Sequence, residues 1–257
     1  MIKGLINTLK TSPKLAFYKS LRRILNRPYV YNGFAVTTTA EFKALRRALQ
    51  LGYKLTREER FYIIDVGWGR FYIPEINLAT VLLYEDLTTM YDINVKNRDV
   101  LDIGAFIGDT PVWFYKRGAR RVTAYEPVYY DICRRNMEVN NVTGECIGKG
   151  VWGWQGRVGV TLMGTLTGDR PGDFPIEVED FAEVLSRGYD VAKLDCEGCE
   201  WWLLTAPCAV LRNVDVYVVE IHGPILPFMD KMRSCGYEGH VVKKLKQYVT
   251  VMRFNRD

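Results

Sequence analysis

Histidine is nearly missing from this chain: only His222 and His240 occur in 257 residues. A His-rich metal centre is therefore excluded, and any role that needs an imidazole falls on one of two positions. Nor does any stretch approach the roughly 20 consecutive apolar residues of a membrane-spanning helix. The start of the chain has no continuous apolar segment followed by a small-residue cleavage site, which reads against a secretion signal and makes a cytoplasmic location the expectation. Low-complexity tracts and internal repeats are also absent. With 48% hydrophobic and 13% aromatic residues, the composition is that of a folded domain with one sizeable core.

Acidic residues are missing from residues 1–27, which hold Lys3, Lys10, Lys14, Lys19, Arg22, Arg23 and Arg27. The net charge of +5 is thus a property of this segment, because the rest of the chain carries 28 basic and 30 acidic residues. A nearly neutral body argues against a broad nucleic-acid face on it. Residues 1–27 read as one or two short basic amphipathic helices packed on the domain with a solvated face. The sharper alternative is attachment to an anionic membrane surface, placing the protein peripherally at the inner face, or to nucleic acid.

Six cysteines are present: Cys133, Cys146, Cys196, Cys199, Cys208 and Cys235. Cys196 and Cys199 have CxxC spacing, but no second CxxC or His pair completes a zinc site. Buried thiols or an incidental disulfide are expected instead.

The elements fall into two parts. Residues 1–57 read as a basic helical extension, with a helix over Thr39–Leu51 stopped by Gly52. A second part, residues 58–257, opens with apolar runs at Phe61–Asp65 and Arg70–Ile73 around Gly67-Trp68-Gly69, a hairpin signal, and a helix over Ile76–Tyr91. From residue 98 strand and helix alternate. Strands are expected at Val100–Ile103, Arg121–Tyr125, Glu145–Ile147, Tyr189–Asp195 and Val214–Glu220. Helices are expected at Thr110–Arg117, Tyr129–Asn140, Glu200–Thr205 and Leu226–Cys235. Two strands, Tyr237–Lys243 and Tyr248–Phe254, close the chain. This order implies an α/β fold, a doubly wound, mostly parallel seven-stranded sheet with an antiparallel terminal pair. Residues 151–180 read as an insertion that shapes the substrate side.

Four motifs lie where strands end, the ends at which doubly wound sheets bind ligands. The first is the loop Asp102-Ile-Gly104-Ala105-Phe-Ile-Gly108-Asp109. Its DxGxxxGD order is not the GxGxxG dinucleotide fingerprint. Its acids would repel a pyrophosphate and would suit the sulfonium and amino group of S-adenosylmethionine (SAM). The second is Glu126-Pro127, placed to accept hydrogen bonds from ribose hydroxyls. The third is Lys193-Leu-Asp195-Cys-Glu197-Gly-Cys-Glu200, three acids facing the transferable methyl group. The fourth is Glu220-Ile-His222-Gly223, which brings an imidazole and a further acid to the active edge.

Together these runs resemble the FkbM family of SAM-dependent methyltransferases over about residues 70–222. The resemblance implies a class I methyltransferase fold and methyl transfer to a hydroxyl oxygen of a sugar, glycan or small metabolite. It also implies that Asp102, Gly104 and Glu126 bind SAM, and that Asp195, Glu197 and Glu200 line the active site. Cys196 and Cys199 depart from the family's small or apolar residues. The reading of the residues makes Asp195 or His222 the general base, with Glu197 beside them and Glu200 and Glu220 in the wall. A divalent cation on Asp195, Glu197 and Glu220 is a second way to activate the acceptor. Two other classes stay open. One is a nucleic-acid methyltransferase, although no Asn-Pro-Pro-aromatic element follows the fourth strand. The other is a non-catalytic, membrane-associated SAM-binding protein.

Overall fold

The computed structural model describes residues 29–161, 166–168, 172 and 174–256. The basic segment 1–27, with its expected helices and surface attachments, lies outside the described residues. The chain divides into two compact units: the residues up to Val66 with Ile73–Glu85, and Gly67–Tyr72 with Asp86 onward.

In the first unit a short hairpin, β1 (Tyr29–Tyr31) with β2 (Phe34–Val36), precedes helix α1 (Thr39–Gln50). Thr38 caps α1: its hydroxyl accepts from the Glu41 N–H while the Glu41 carboxylate accepts from the Thr38 N–H, a reciprocal capping box. Phe42, Ala44, Leu45 and Ala48 form the buried stripe of this helix. Strand β3 (Lys54–Glu58) then pairs antiparallel with β4 (Phe61–Asp65). The sequence gives no sign of β3, because its side chains are largely solvated and only backbone pairing makes it a strand.

Strand β5 (Arg70–Ile73) comes where expected. The expected single helix over Ile76–Tyr91 does not form. A 3₁₀ turn, Ile76–Ala79, runs into α2 (Thr80–Tyr84), and α3 (Leu87–Met90) starts anew. The break is local chemistry. Glu85 is extended, and the Asp86 carboxylate accepts from the Thr89 N–H, so the chain is recapped instead of continued.

The second unit is built on seven strands. They are β6 (Asp99–Ile103), β7 (Arg121–Tyr125), β8 (Gly144–Ile147), β13 (Val191–Leu194), β14 (Val216–His222), β15 (Glu238–Lys246) and β16 (Val249–Asn255). Between β8 and β13, the stretch that contains the insertion supplies β9 (Gly150–Trp152), β10 (Gly156–Val160), β11 (Leu166–Gly168) and β12 (Phe174–Asp180), and helix α6 (Phe181–Leu185) follows it. The other helices are α4 (Asp109–Lys116), α5 (Tyr130–Val139), α7 (Cys208–Leu211) and α8 (Leu226–Ser234).

The sheet order is β15-β16-β14-β13-β6-β7-β8, parallel from β14 to β8, with β16 antiparallel to both β14 and β15. This is the expected doubly wound α/β sheet. Both faces are covered, and the period of two is visible in the burial. Leu101, Ala192, Leu194, Tyr217 and Val219 join one core with Phe181 and Phe228. Val100, Val191 and Val218 join the other with Tyr91 and Phe114. Chain order reverses between β6 and β13, so the switch point lies at their carboxyl ends.

The insertion is a sheet of its own, ordered β11-β10-β12-β9, closed by Val158, Val160, Ile176 and Val178. Only Arg157–Leu162 of it is strand-like in the sequence. The cysteines depart further from expectation: all six are paired, as Cys133–Cys146, Cys196–Cys199 and Cys208–Cys235. Two of these pairs join residues on different elements, which spacing along the chain does not disclose.

Asn136 on α5 ties strand to loop. It is fully buried, accepts from the Tyr72 N–H at 2.7 Å and donates to the Ile107 carbonyl at 2.8 Å. Asn136→Ala strands buried backbone groups at both ends. It should cost about 2–4 kcal/mol, read as a lower urea midpoint at unchanged m-value.

Candidate active site

The floor of the site is a buried ion pair. Asp102 and Lys193 occupy facing positions on the paired strands β6 and β13. Their side chains are 0% and 2% exposed, with Nζ 3.0 Å from Oδ1. Lys193 also donates to the Gly104 carbonyl at 2.7 Å, and the Thr110 hydroxyl donates to the other Asp102 oxygen. Burial alone would lower the pKa of Lys193. Together, the charges of Asp102 and Asp195 outweigh it and hold the ammonium above its ordinary pKa. The charge of Asp102 is therefore spent on Lys193 beneath the loop. Lys193 lies inside the third motif, but the sequence does not reveal this role, since the pairing is across strands.

The glycine loop sits on that floor. Gly104 has φ +84°, and a Cβ there would lie 1.8 Å from the Asp195 carbonyl oxygen, so only glycine lets the loop and the end of β13 approach this closely. The amides of the loop are largely committed. Gly104 and Ala105 donate to the Tyr125 carbonyl, Phe106 to Glu126, and Gly108 to the Ala105 carbonyl. Gly108 caps α4, whose first residue, Asp109, is 3% exposed.

Glu126 follows β7 and is 6% exposed. One carboxylate oxygen accepts from Val128 and Tyr129 at 2.7 and 2.8 Å, the other from Phe106 at 2.9 Å. A carboxylate offers about four lone-pair directions, so the oxygen facing Phe106 keeps one free. Burial pushes the Glu126 carboxyl above its ordinary range, against the pull of these three N–H groups. The rings of Phe106 and Tyr129 meet edge-to-face at 4.8 Å. Neither ring was flagged by the motif. Pro127 is half-buried beside them.

The opposite wall joins the third and fourth motifs. Glu200 is fully buried: one oxygen lies 3.1 Å from His222 Nδ1, and the other accepts from the Gly198 N–H at 2.8 Å. His222 Nε2 lies 3.5 Å from Glu220 and 3.6 Å from Glu197. Asp195 is held by its N–H to the Ile103 carbonyl at 3.0 Å and stands 4.0 Å from Lys193. Glu197 has φ +53° in the tight turn that the Cys196–Cys199 disulfide closes. Trp202, on the 3₁₀ turn Cys199–Leu204, meets Trp152 and Trp154 of the insertion at 5.5 and 5.8 Å. All nine residues expected at cofactor or wall positions, and the three catalytic candidates Asp195, Glu197 and His222, thus lie at or just beyond the carboxyl ends of β6, β7, β13 and β14.

The carboxylates of Glu200, which accepts from the ring at Nδ1, and of Glu220 raise the His222 pKa to about 10 from 6.5. At neutral pH the ring is an imidazolium, which cannot accept a proton. The sign of the linkage follows. The raised value contributes stability that is complete below pH 6.5 and is lost as pH rises towards about 10. In chelator-treated protein, the stability gap between wild type and His222→Gln should be largest near the bottom of that window and close towards its top. A pH-independent gap in thermal melts would show that the ring is not held as the cation.

Lys193→Met should cost about 3–5 kcal/mol, because it leaves Asp102 charged and unpaired in the core. The double variant Lys193→Met/Asp102→Leu should recover most of that loss in denaturant titrations.

No family model matches the chain, and no curated protein does. The FkbM resemblance therefore stands on the motif residues alone. Solved structures do match. They include the ribosomal protein L11 methylase from Lactobacillus delbrueckii subsp. bulgaricus, at 12% identity over 70% of this chain and 78% of that one, with a TM-score of 0.39. TYW2 from M. jannaschii, in complex with AdoMet, is similar at 15% identity over 79% and 90%, with a TM-score of 0.42. A third is aTrm5 in complex with tRNALeu, at 12% identity over 78% of this chain and 54% of that one, with a TM-score of 0.47. These likenesses are of fold alone; the α/β architecture with its mostly parallel seven-stranded sheet is read from the strand order itself.

Proposed function

We propose that the chain is a SAM-dependent methyltransferase. The observation that carries this reading is the state of the glycine loop. The amides of Gly104, Ala105, Phe106 and Gly108 are all bonded within the protein, so they form no cradle for a diphosphate. An acid, Glu126, stands at the mouth of the loop instead. A nucleoside cofactor with a cationic centre fits this arrangement and a dinucleotide does not. The loop from Gly104 to Asp109 would hold SAM, with Glu126 at the ribose and Pro127, Phe106 and Tyr129 beside it. When bound, SAM supplies an activated methyl group.

The protein's own residues then orient the acceptor and take its proton. His222 is held as a cation, so it serves through its charge, and the proton-accepting role passes to Asp195 and Glu197. Glu200 and Glu220 keep the imidazolium in place. The acceptor we propose is a hydroxyl oxygen of a sugar, glycan or small metabolite, because four carboxylates around the reacting position disfavour a phosphate nearby. RNA is the second reading. It draws on the tRNA in the complex of the similar aTrm5 structure and on the seven basic residues of the first 27. Among the described residues no helix is long and apolar enough to cross a membrane. We retain the cytoplasm as the proposed location, with the restriction that three disulfides persist there only in cells such as hyperthermophiles.

Calorimetric titration with SAM and transfer of labelled methyl from SAM to extract fractions test the proposal. Wild type should bind SAM, and Glu126→Gln should weaken binding about tenfold. Asp195→Asn should lower turnover by about 10²–10⁴ while the SAM affinity stays within a few-fold. A protein that binds no SAM would end this reading, and a labelled RNA product would select the second acceptor class.

A further inference from the structure

The carboxyl ends of β13 and β14 carry a donor set whose geometry goes beyond what methyl transfer itself requires. We infer that Asp195, Glu220 and His222 form a binding site for one divalent metal cation of the Mn²⁺ or Zn²⁺ type, on the acceptor side of the cleft. The geometry of this site stands by itself. Only its role rests on the methyltransferase reading.

One donor atom from each of the three residues lies within 4.8 Å of the others. Ligands about 2.1 Å from a shared cation are about 3 Å apart when adjacent and about 4 Å apart when opposite, so a small side-chain adjustment closes the set. The donors stand on a rigid frame. Glu220 and His222 are two residues apart on β14 and share one face of it. Asp195 directly follows β13, the hydrogen-bonded neighbour of β14, and its backbone is pinned to Ile103.

The histidine is also aimed. Its Nδ1 faces the fully buried Glu200 carboxylate at 3.1 Å, and Glu200 is fixed in turn by the Gly198 N–H. Ligating histidines are oriented in this way by a carboxylate on the ring nitrogen away from the metal. Nε2 then points towards Glu220 and Glu197, at 3.5 and 3.6 Å. These separations are long for hydrogen bonds and close to those of ligands around one ion.

Charge leads to the same place. Four carboxylates converge on a single imidazole, and the nearby Lys193 is committed to Asp102 and Gly104. A bound cation would replace the proton on Nε2. The Cys196–Cys199 pair takes no part, because its sulfurs are joined to each other. Two carboxylates and one imidazole suit Mn²⁺ or Zn²⁺ better than an all-oxygen cation such as Mg²⁺, and three protein ligands leave positions for an acceptor oxygen. An oxygen held there loses its proton more readily, and Glu197, outside the ligand set and 48% exposed, is placed to receive it. The site thus favours a hydroxyl acceptor over a ring nitrogen, which already has its lone pair.

The test uses the full chain, stripped by chelator and titrated with MnCl₂, with free Mn²⁺ followed by electron paramagnetic resonance. One Mn²⁺ per chain should bind. The affinity should fall by about 10–100-fold in Glu200→Gln, which touches only the supporting carboxylate, and by at least as much in Glu220→Gln and His222→Ala. Glu238→Gln, at the remote start of β15, should bind as wild type. No uptake at millimolar Mn²⁺, or uptake that is equal in Glu220→Gln, His222→Ala and wild type, would overturn the site. Circular dichroism melts in chelator identify a variant that fails to fold, and Glu220→Gln then carries the comparison. SAM is titrated separately. Mn²⁺ uptake without SAM binding would remove the methyltransferase reading and leave the site, whereas SAM binding without Mn²⁺ uptake would do the reverse.

Discussion

The Lys193–Asp102 pair is the interaction on which the rest of the site depends. It joins β6 to β13 at the point where the sheet reverses its order, in a region where neither charge meets water. Burying two ions is expensive, and the cost is offset only when every remaining polar valence is used. Here the pair has two such supports: Lys193 donates to the Gly104 carbonyl and Asp102 accepts from the Thr110 hydroxyl. The pair therefore fixes the glycine loop from below and the first turn of α4 from the side. It also keeps the base of the cleft nearly neutral, so that the acids above it set the local potential.

Those acids form the second organising feature. Glu200 lies at the centre. It is inaccessible to solvent and touches both the turn at Gly198 and the imidazole on the neighbouring strand. The 3₁₀ turn after β13 and the end of β14 are thereby held as one piece. The Cys196–Cys199 disulfide and the left-handed Glu197 add a second constraint on the same turn. A cluster of like charges stays assembled only because something positive occupies its middle.

The sheet was legible in the sequence because short apolar runs recur before glycines and acids. Arg121–Tyr125 has the predicted bounds, and the other strands of the large sheet differ by a few residues at their ends. The positions of Asp102, Glu126, Asp195 and His222 at strand ends follow from the same pattern. Their partners do not. That Asp102 answers to Lys193, that Glu126 is bonded three times by backbone, and that Glu200 steers His222 are relations across strands and loops. Local sequence carries no sign of them. The same reason hides β3, whose solvated side chains lack alternation, and the disulfides Cys133–Cys146 and Cys208–Cys235. The broken helix after Ile76 was a different failure. Its apolar spacing is helical throughout, and the cap at Asp86 overrides it.

The order of strands at the far edge carries a consequence for how the chain is made. The last strand, β16, lies between β14 and β15 and pairs with both. Until residues 249–255 have left the ribosome, β14 has an open edge and β15 has no neighbour. The strand that carries Glu220 and His222 is thus completed only once residues 249–255 have been made. A nascent chain stalled before residue 249 would present this edge of the sheet unfinished.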